Sequence, residues 1–293
     1  MKKLLVTGGG GLLGSKLVHV LSREYEVTPT HNVNALDPSS LRMSIVDKRV
    51  VLKVFNTVRP DVVVHAAAET NVDRCETNED LAWSVNATGT RNIAEACAKV
   101  DSNLIYISTD YVFDGAKCFY GEADEANPVN YYGFTKLKGE EFVKDICKNF
   151  VIARTSVLYG WHPKALNFAT WVIDSLRNGR RISVVEDHYN SPTLVDNLAE
   201  MILGIVRVNA RGVYHTAGGE RMSRYEFAKR IAETFELDET LITPVKMNDL
   251  KIWIARRPED SSLSVDKIRR EIKVAPLDLT EALERMKDSQ KTR

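Results

Sequence analysis

Five of the seven residues from Gly8 to Gly14 are glycine (Gly8-Gly9-Gly10-Gly11-Leu12-Leu13-Gly14), and they follow the short apolar run Leu4-Leu5-Val6. Downstream, Leu12–Ser22 has the apolar spacing of a helix, so the glycines occupy a strand-to-helix turn. Two spacings fit: Gly9, Gly11 and Gly14 spell GxGxxG, and Gly8, Gly11 and Gly14 spell GxxGxxG. Either sets the turn against a helix N-terminus, whose free N–H groups and dipole receive a pyrophosphate. A side chain at Gly11 would block that phosphate, and Gly14 lets the helix pack closely. A plain tight turn is the simpler alternative, but it does not need this many glycines. The ending Gly14-Ser15-Lys16 is not the GK[ST] of an ATP-binding P-loop.

Strand and helix signals then alternate. Lys3–Thr7, Glu26–Thr30, Asp61–His65, Leu104–Ser108 and Phe150–Arg154 read as strands; Lys48–Val58, Asp80–Lys99 and Tyr131–Lys148 read as helices. Such repeats build a doubly wound parallel sheet covered on both faces, an α/β fold of Rossmann type. The second half is less regular. Ser223 with Glu226, and Thr193 with Asp196, have capping-box spacing before apolar-periodic stretches. Residues 288–293 are polar and are expected to fray.

The acid that usually binds the ribose 2′-OH, roughly 20 residues beyond the glycines, is missing; Thr30-His31-Asn32 stands there. His31 and Arg42 are then either surface residues or partners for a 2′-phosphate. The expected cofactor is NADP(H) or NAD(H). Lys+Arg and Asp+Glu balance at 40 each, so no global field favours nucleic acid or an anionic membrane. Cys75, Cys97, Cys118 and Cys147 are scattered, which argues for reduced buried thiols and against a metal site. The N-terminal apolar run is too short for a signal peptide, and no stretch is long enough to span a membrane; a cytoplasmic location follows as an expectation.

Tyr132-Gly133-Phe134-Thr135-Lys136 is a YxxxK spacing, which places phenol and ammonium on one helix face. A free phenol has a pKa near ~10, and an adjacent ammonium favours its ionised form. Ser108-Thr109 ends the preceding strand, and Thr109 is placed to hydrogen-bond a reacting carbonyl oxygen. Tyr131 offers a competing register, but it lies five residues from Lys136.

With these residues in view, the chain resembles the extended short-chain dehydrogenase/reductases, and most closely the dTDP-4-dehydrorhamnose reductase family. The segments that carry the resemblance are LLVTGGGGLLG, RPDVVVHAAAETNVDRCE, VNATGTRNIAEAC, ISTDYVFDG, YYGFTKLKGEE, ARTSVLYG, DHYNSPTLVDNLA and ARRPEDSSLS. The resemblance implies a catalytic triad of Thr109, Tyr132 and Lys136. It implies a cofactor site of Gly8, Gly11, Leu12, Leu13, Gly14, His31, Ser44, Ile45, Ala66, Ala67, Ala68 and Asn86, together with Tyr132 and Lys136. Asp110, Tyr111, Val112 and Val157 would border the substrate, and Arg256 and Arg257 would clamp its diphosphate. Two positions depart from the family's usual residues: Val157 replaces a tryptophan and Ser44 an aspartate. The implied organisation is a dinucleotide-binding domain over 1–155 with 186–212, and a smaller C-terminal substrate domain over 156–185 and 213–293.

The leading reading is NAD(P)H-dependent reduction of a nucleotide-linked 4-keto-6-deoxysugar, as in dTDP-rhamnose biosynthesis. A sugar-nucleotide epimerase on the same fold is an alternative. A 4,6-dehydratase is disfavoured, because Tyr111 stands where those enzymes carry a glutamate. A third reading is a non-catalytic, dinucleotide-binding regulatory subunit resembling the methionine adenosyltransferase β subunit, with a partner enzyme. The expected partners are otherwise a nucleotide-sugar substrate and, in a homodimer, a second copy of the chain, with no nucleic acid, membrane or metal.

Overall fold

The computed structural model describes every residue except 34, 36, 37, 165, 251 and 291–293. The first apolar run forms β1 (Lys3–Thr7), with Leu4, Leu5 and Val6 fully buried. There follow α1 (Leu12–Leu21), β2 (Glu26–His31), β3 (Leu41–Arg42), α2 (Lys48–Val58) and β4 (Val62–His65). Next come α3 (Gly89–Val100), β5 (Asn103–Thr109), α4 (Tyr131–Ile146), β6 (Phe150–Thr155), α5 (Val195–Val208) and β7 (Gly212–His215). The seven strands form one parallel sheet in the order β7-β6-β5-β4-β1-β2-β3. Chain direction across the sheet reverses between β1 and β4, so a crevice opens at their C-terminal ends, where such sheets bind ligands.

Both faces of the sheet are covered, which explains why its central strands are apolar on alternate and intervening positions alike. On one face, Leu13, Leu17 and Leu21 of α1 pack with Leu198, Ile202 and Ile205 of α5. On the other, Val51 and Phe55 of α2 meet Ile93 and Cys97 of α3 and Val143 of α4. Fully burying one such side chain contributes about 1.5–3 kcal/mol. A separate apolar cluster holds the remainder together: Tyr159, helix Phe168–Arg177, helix Arg224–Thr234 and helix Leu279–Gln290.

Several sequence expectations are corrected here. The helix read as Asp80–Lys99 forms, but it winds as a π-helical turn over Trp83–Thr88, between Glu79–Ala82 and α3. The Ser223–Glu226 capping box forms, with reciprocal bonds of 3.1 and 2.7 Å. The Thr193–Asp196 box does not: Leu194 precedes α5, the Thr193 hydroxyl donates to Ser191 O, and Asp196 pairs with Lys16 at 2.7 Å. The strand β7 crosses the boundary expected at 212 and belongs to the main sheet. Helix Leu279–Gln290 runs through part of the tail expected to fray, and residues 291–293 lie outside the described residues. Cys118 is exposed, whereas Cys75, Cys97 and Cys147 are buried; all four are free thiols. Among the described residues no helix is long and apolar enough to cross a membrane, and no acid, His or Cys cluster could hold a metal.

Candidate active site

The glycine turn closes on itself through Gly11 N, which donates to Gly8 O at 2.9 Å, while Gly9 N donates to Thr30 O. Gly8 has φ +71°, and a Cβ on Gly14 would lie 2.0 Å from Gly8 O. A Cβ on Gly9 would lie 2.8 Å from Pro29 Cβ, so Gly8, Gly9 and Gly14 are all required here and both spacings remain compatible with the turn, with Gly14 packing against the turn itself. No side chain caps α1 at Gly11, so its first N–H groups stay available. An uncapped helix start held close against the glycine turn suits a pyrophosphate.

Two cavities meet at this turn. One, of about 720 Å³, runs past Thr30 to Val33, Met43 to Val46 and Ala66 to Glu69, out to Ser84 and Val85 on the π turn. His31, Ser44, Ile45, Ala66, Ala67 and Ala68 all line it, as expected. His31 bonds Ser40 Oγ at 2.9 Å and pairs in register with Arg42 across β2 and β3. Asn86 is a correction. It is buried beneath the wall, its amide spent on Glu69 N, Glu69 O and Thr135 Oγ1, and it lines neither cavity.

The other cavity, of about 440 Å³, has Gly8 and Gly11 to Gly14 on one side and Thr109, Asp110, Tyr132 and Lys136 on the other. Tyr132 and Lys136 belong to α4, which Asn130 caps by accepting from Gly133 N at 2.8 Å. The glycine inside the YxxxK motif is forced by proximity: a Cβ on Gly133 would sit 2.0 Å from Tyr111 O. That approach brings α4 against the end of β5 and turns Tyr132 inward. Tyr131 instead packs on Phe134.

Burial raises the pKa of Tyr132 well above that of an ordinary phenol, opposed by a hydrogen bond with Thr109 and reinforced by Asp110, Cys75 and Tyr111. The phenol thus holds its proton. Lys136 Nζ donates to Ile107 O at 2.7 Å and lies 4.1 Å from the centre of the Tyr106 ring. Burial pulls its pKa down to about 7, against Glu140 and Cys75. The expected ionisation of the phenol by the ammonium is therefore not what this arrangement produces; burial outweighs it.

Thr109 donates its hydroxyl proton to Asp110 Oδ1 at 3.0 Å and accepts from Tyr111 N at 3.2 Å. A hydroxyl has one proton, so Thr109 can reach a carbonyl oxygen as a donor only by leaving Asp110. Asp110 is buried and also accepts from Ser156 and Ser261, at 2.7 and 2.6 Å. Burial raises its pKa against these three hydroxyls. Tyr111 is buried edge-on to Tyr132. Val112 is a correction: it belongs to the core and lines no part of this cavity. Val157 does line it, with φ +44°.

The arginine pair lies away from the catalytic cavity. Arg256 and Arg257 line a third, outer cavity of about 760 Å³ with Trp253 and Asp187. The Arg257 fork is spent on Asp73, with two bonds of 2.9 Å, while Arg256 is exposed. Residues that the sequence reading passed over include Thr70, Thr155, Leu166 and Asn167 in the catalytic cavity. They sit in loops or at strand ends and form no local pattern.

The sequence matches the family described as RmlD substrate binding domain over residues 1–291. The chain belongs to this family. Its relatives include the dTDP-4-dehydrorhamnose reductase of Aggregatibacter actinomycetemcomitans, 32% identical over 98% of this chain and 99% of that one. Methionine adenosyltransferase 2 subunit beta of Mus musculus is 31% identical over 91% of this chain and 81% of its own length. The crystal structure of dTDP-4-dehydrorhamnose reductase from Bacillus anthracis, in complex with NADP, is 34% identical with a TM-score of 0.90. That match covers 99% of this chain and 100% of that one. The resemblance read from the sequence, and the Rossmann-type fold, are thus both borne out.

Proposed function

We propose that this RmlD-family chain is an NAD(P)H-dependent oxidoreductase that reduces the keto group of a nucleotide-linked 4-keto-6-deoxysugar. The observation that carries this reading is the single cavity walled by the glycine turn on one side and by Thr109, Tyr132 and Lys136 on the other. The reductase relatives and the NADP complex of the Bacillus anthracis protein support it. Gly8, Gly11 and Gly14 would hold the pyrophosphate, with the adenosine part along His31, Ser44 and Ile45. The absence of an acid after Thr30 and the pairing of His31 with Arg42 favour NADP(H). A bound nicotinamide supplies the hydride for the carbonyl carbon. Tyr132 gives its proton to the carbonyl oxygen, and its raised pKa keeps that proton in place beforehand. Thr109 anchors the phenol, and Lys136 is held on Ile107 O in the wall of the same cavity. The segments around helices Phe168–Arg177, Arg224–Thr234 and Leu279–Gln290 would form the substrate domain.

The test is cofactor oxidation with a panel of nucleotide-linked 4-keto-6-deoxysugars. Turnover with at least one member that Tyr132→Phe loses is the expected result. Tight dinucleotide binding with no turnover, together with co-purification of a partner enzyme, would replace the reductase by the regulatory-subunit reading.

A further inference from the structure

One turn beyond Lys136, α4 carries a second buried ionisable group, Glu140, which is fully shielded from solvent. Arg154 on β6 forks onto its carboxylate, Nε to Oε1 at 2.9 Å and Nη2 to Oε2 at 2.7 Å. Ser108 Oγ donates to Oε1 at 2.7 Å, and Lys144 Nζ comes within 3.7 Å of Oε2. Burial opposes ionisation of this carboxyl, but the bonds from Arg154 and Ser108 outweigh it and hold its pKa below the ordinary carboxylate range. A buried ion pair stabilises a fold little better than apolar packing of the same volume, so its position is the informative part.

Lys136 and Glu140 are four residues apart and share a face of α4. That face is pressed on β5: a Cβ on Gly139 would collide with the phenol oxygen of Tyr106. Both side chains end on consecutive residues of β5, Lys136 Nζ on Ile107 O and Glu140 on the Ser108 hydroxyl. Thr109 is the next residue, and Ile107, Ser108 and Thr109 all line the catalytic cavity with Tyr132 and Lys136. Fixing Glu140 therefore fixes how α4 presents Tyr132 and Lys136 to Thr109.

The charges around Lys136 can be taken element by element. Helix Val72–Thr77 offers Cys75, a thiol that burial raises to about 12 and so keeps neutral. β4 offers His65, neutral with a pKa of about 3. β5 offers the face of the Tyr106 ring, 4.1 Å from Nζ, and burial raises that phenol too. Tyr132 on α4 keeps its proton, and Asp110 beyond β5 faces Tyr132. Arg154 on β6 is spent on Glu140, its guanidinium 5.0 Å over the Phe113 ring. Among the described residues that face Lys136, Glu140 thus brings the full negative charge that opposes the loss of its proton on burial. A phenol that gives its proton to a substrate becomes an anion and needs a cation in the same wall. We infer that Glu140, clamped by Arg154 and Ser108, is a positioning residue of the reductase, which locks Lys136 to the end of β5 and keeps it an ammonium. This rests on the reductase reading for its purpose, but the charge of Lys136 can be followed without turnover.

Protein carrying ¹³C,¹⁵N-labelled lysine reports the ionisation of Lys136 through its Cε and Nζ resonances, assigned by their loss in Lys136→Met. Wild type should titrate near pH 7. Glu140→Gln should lower that midpoint by about one pH unit or more, and Glu140→Asp should recover part of the change. Glu141→Gln, a half-exposed change at the partner of Lys138, should titrate as wild type. The ammonium exists only below its pKa. The alkaline limb of kcat/KM on a nucleotide-linked 4-keto-6-deoxysugar should therefore move to lower pH by the same interval in Glu140→Gln, a loss of about tenfold or more on that limb. Should Glu140→Gln fail to fold because Arg154 is left buried without its partner, Glu140→Gln with Arg154→Met removes both charges and carries the same expected direction. A Glu140 that only supports the fold would lower the melting temperature and leave the Lys136 titration where it is, and that result overturns the inference. A shifted titration with no turnover of any sugar keeps the coupling of Glu140 to Lys136 and removes the reductase. Turnover whose alkaline limb is unchanged in Glu140→Gln keeps the reductase and removes the coupling.

Discussion

Tyr132 is the residue on which the chemistry turns, and its surroundings set a sharp expectation. The phenol is buried, proton-loaded and hydrogen-bonded to Thr109. Tyr132→Phe keeps the ring and its edge contact with Tyr111 but has no proton to give. Turnover should fall about 10²–10⁴-fold, with dinucleotide affinity within roughly twofold of wild type; stopped-flow kinetics beside calorimetry would show it. Full activity in that variant would remove Tyr132 from the mechanism. Val157 gives a second expectation. It lines the catalytic cavity with φ +44°, a left-handed conformation that a β-branched residue adopts at a cost of about 1–3 kcal/mol. Val157→Trp offers a broad apolar face to a sugar and is no longer β-branched. It should raise kcat/KM for dTDP-4-keto-6-deoxy sugars by about 10-fold or more. A fall in kcat/KM without a change in melting temperature would mean that the pocket is shaped around valine. Thr109, Tyr132 and Lys136 were legible because two of them share a helix face and the third ends the preceding strand. The Asp73 latch on Arg257 was not, because its partners lie 184 positions apart.

At the scale of elements, the glycine turn separates two kinds of damage. Gly14 meets Gly8 O at 2.0 Å through any added Cβ, so Gly14→Ala must push α1 off the turn. It should lower the melting temperature as well as abolish dinucleotide binding. Gly11 has far more room: its added Cβ meets only Gly8 O, at 3.3 Å, and its extended φ of −86° suits any residue. Gly11→Val should therefore fold normally and lose dinucleotide affinity alone, because the branched side chain occupies the phosphate's approach. Thermal melts with and without NADP(H) distinguish the two, and equal melting losses would show that both act on the fold. The same contrast explains what could be read in advance. Strands buried on both faces announce themselves as apolar runs, and β1, β4, β5 and β6 fall within about a residue of their expected bounds. The π turn at Trp83–Thr88 left no trace, since its residues keep helical periodicity on either side. β3 is two exposed residues, Leu41 and Arg42, with no pattern to detect. Capping boxes depend on competition: Ser223 is free to cap, whereas Thr193 is claimed by Ser191 O and Gly218 N and Asp196 by Lys16.

Over the whole molecule, three buried histidines set how stability responds to acid. His65 sits between Thr7 and Thr90, bonded to their hydroxyls at 2.7 and 3.2 Å, beneath the Ala66 to Ala68 wall. Burial, with Lys136 adding, pulls its pKa down to about 3. His215 on β7 is pulled down to about 3 by burial and by Arg154. His188 is pushed well below the ordinary imidazole value. In the unfolded chain each imidazole regains a pKa near ~6.5. Between about pH 6.5 and 3 the unfolded state therefore binds more protons than the native state, so stability rises with pH across that window. It is lost progressively as the medium is acidified. Each of the two rings held at about 3, His65 and His215, contributes a slope of about 1.4 kcal/mol per pH unit in the middle of the window, and His188 adds in the same direction. Carboxylates such as Glu140, held below the ordinary range by Arg154 and Ser108, act in the same direction but only below about pH 4.5. In the interval from about pH 6.5 to 4.5, Lys136, at about 7, also titrates at the top, and Asp110, whose raised pKa acts the other way, at the lower end, so the histidine part is read from the difference between wild type and a histidine variant. Urea unfolding at half-unit steps through that interval should show the decline, and His215→Phe, which keeps an aromatic ring against Phe113, should flatten the slope by about one proton. An unchanged slope in His215→Phe, with m-values equal to wild type, would mean that the ring is protonated in the native state and that burial does not dominate its pKa.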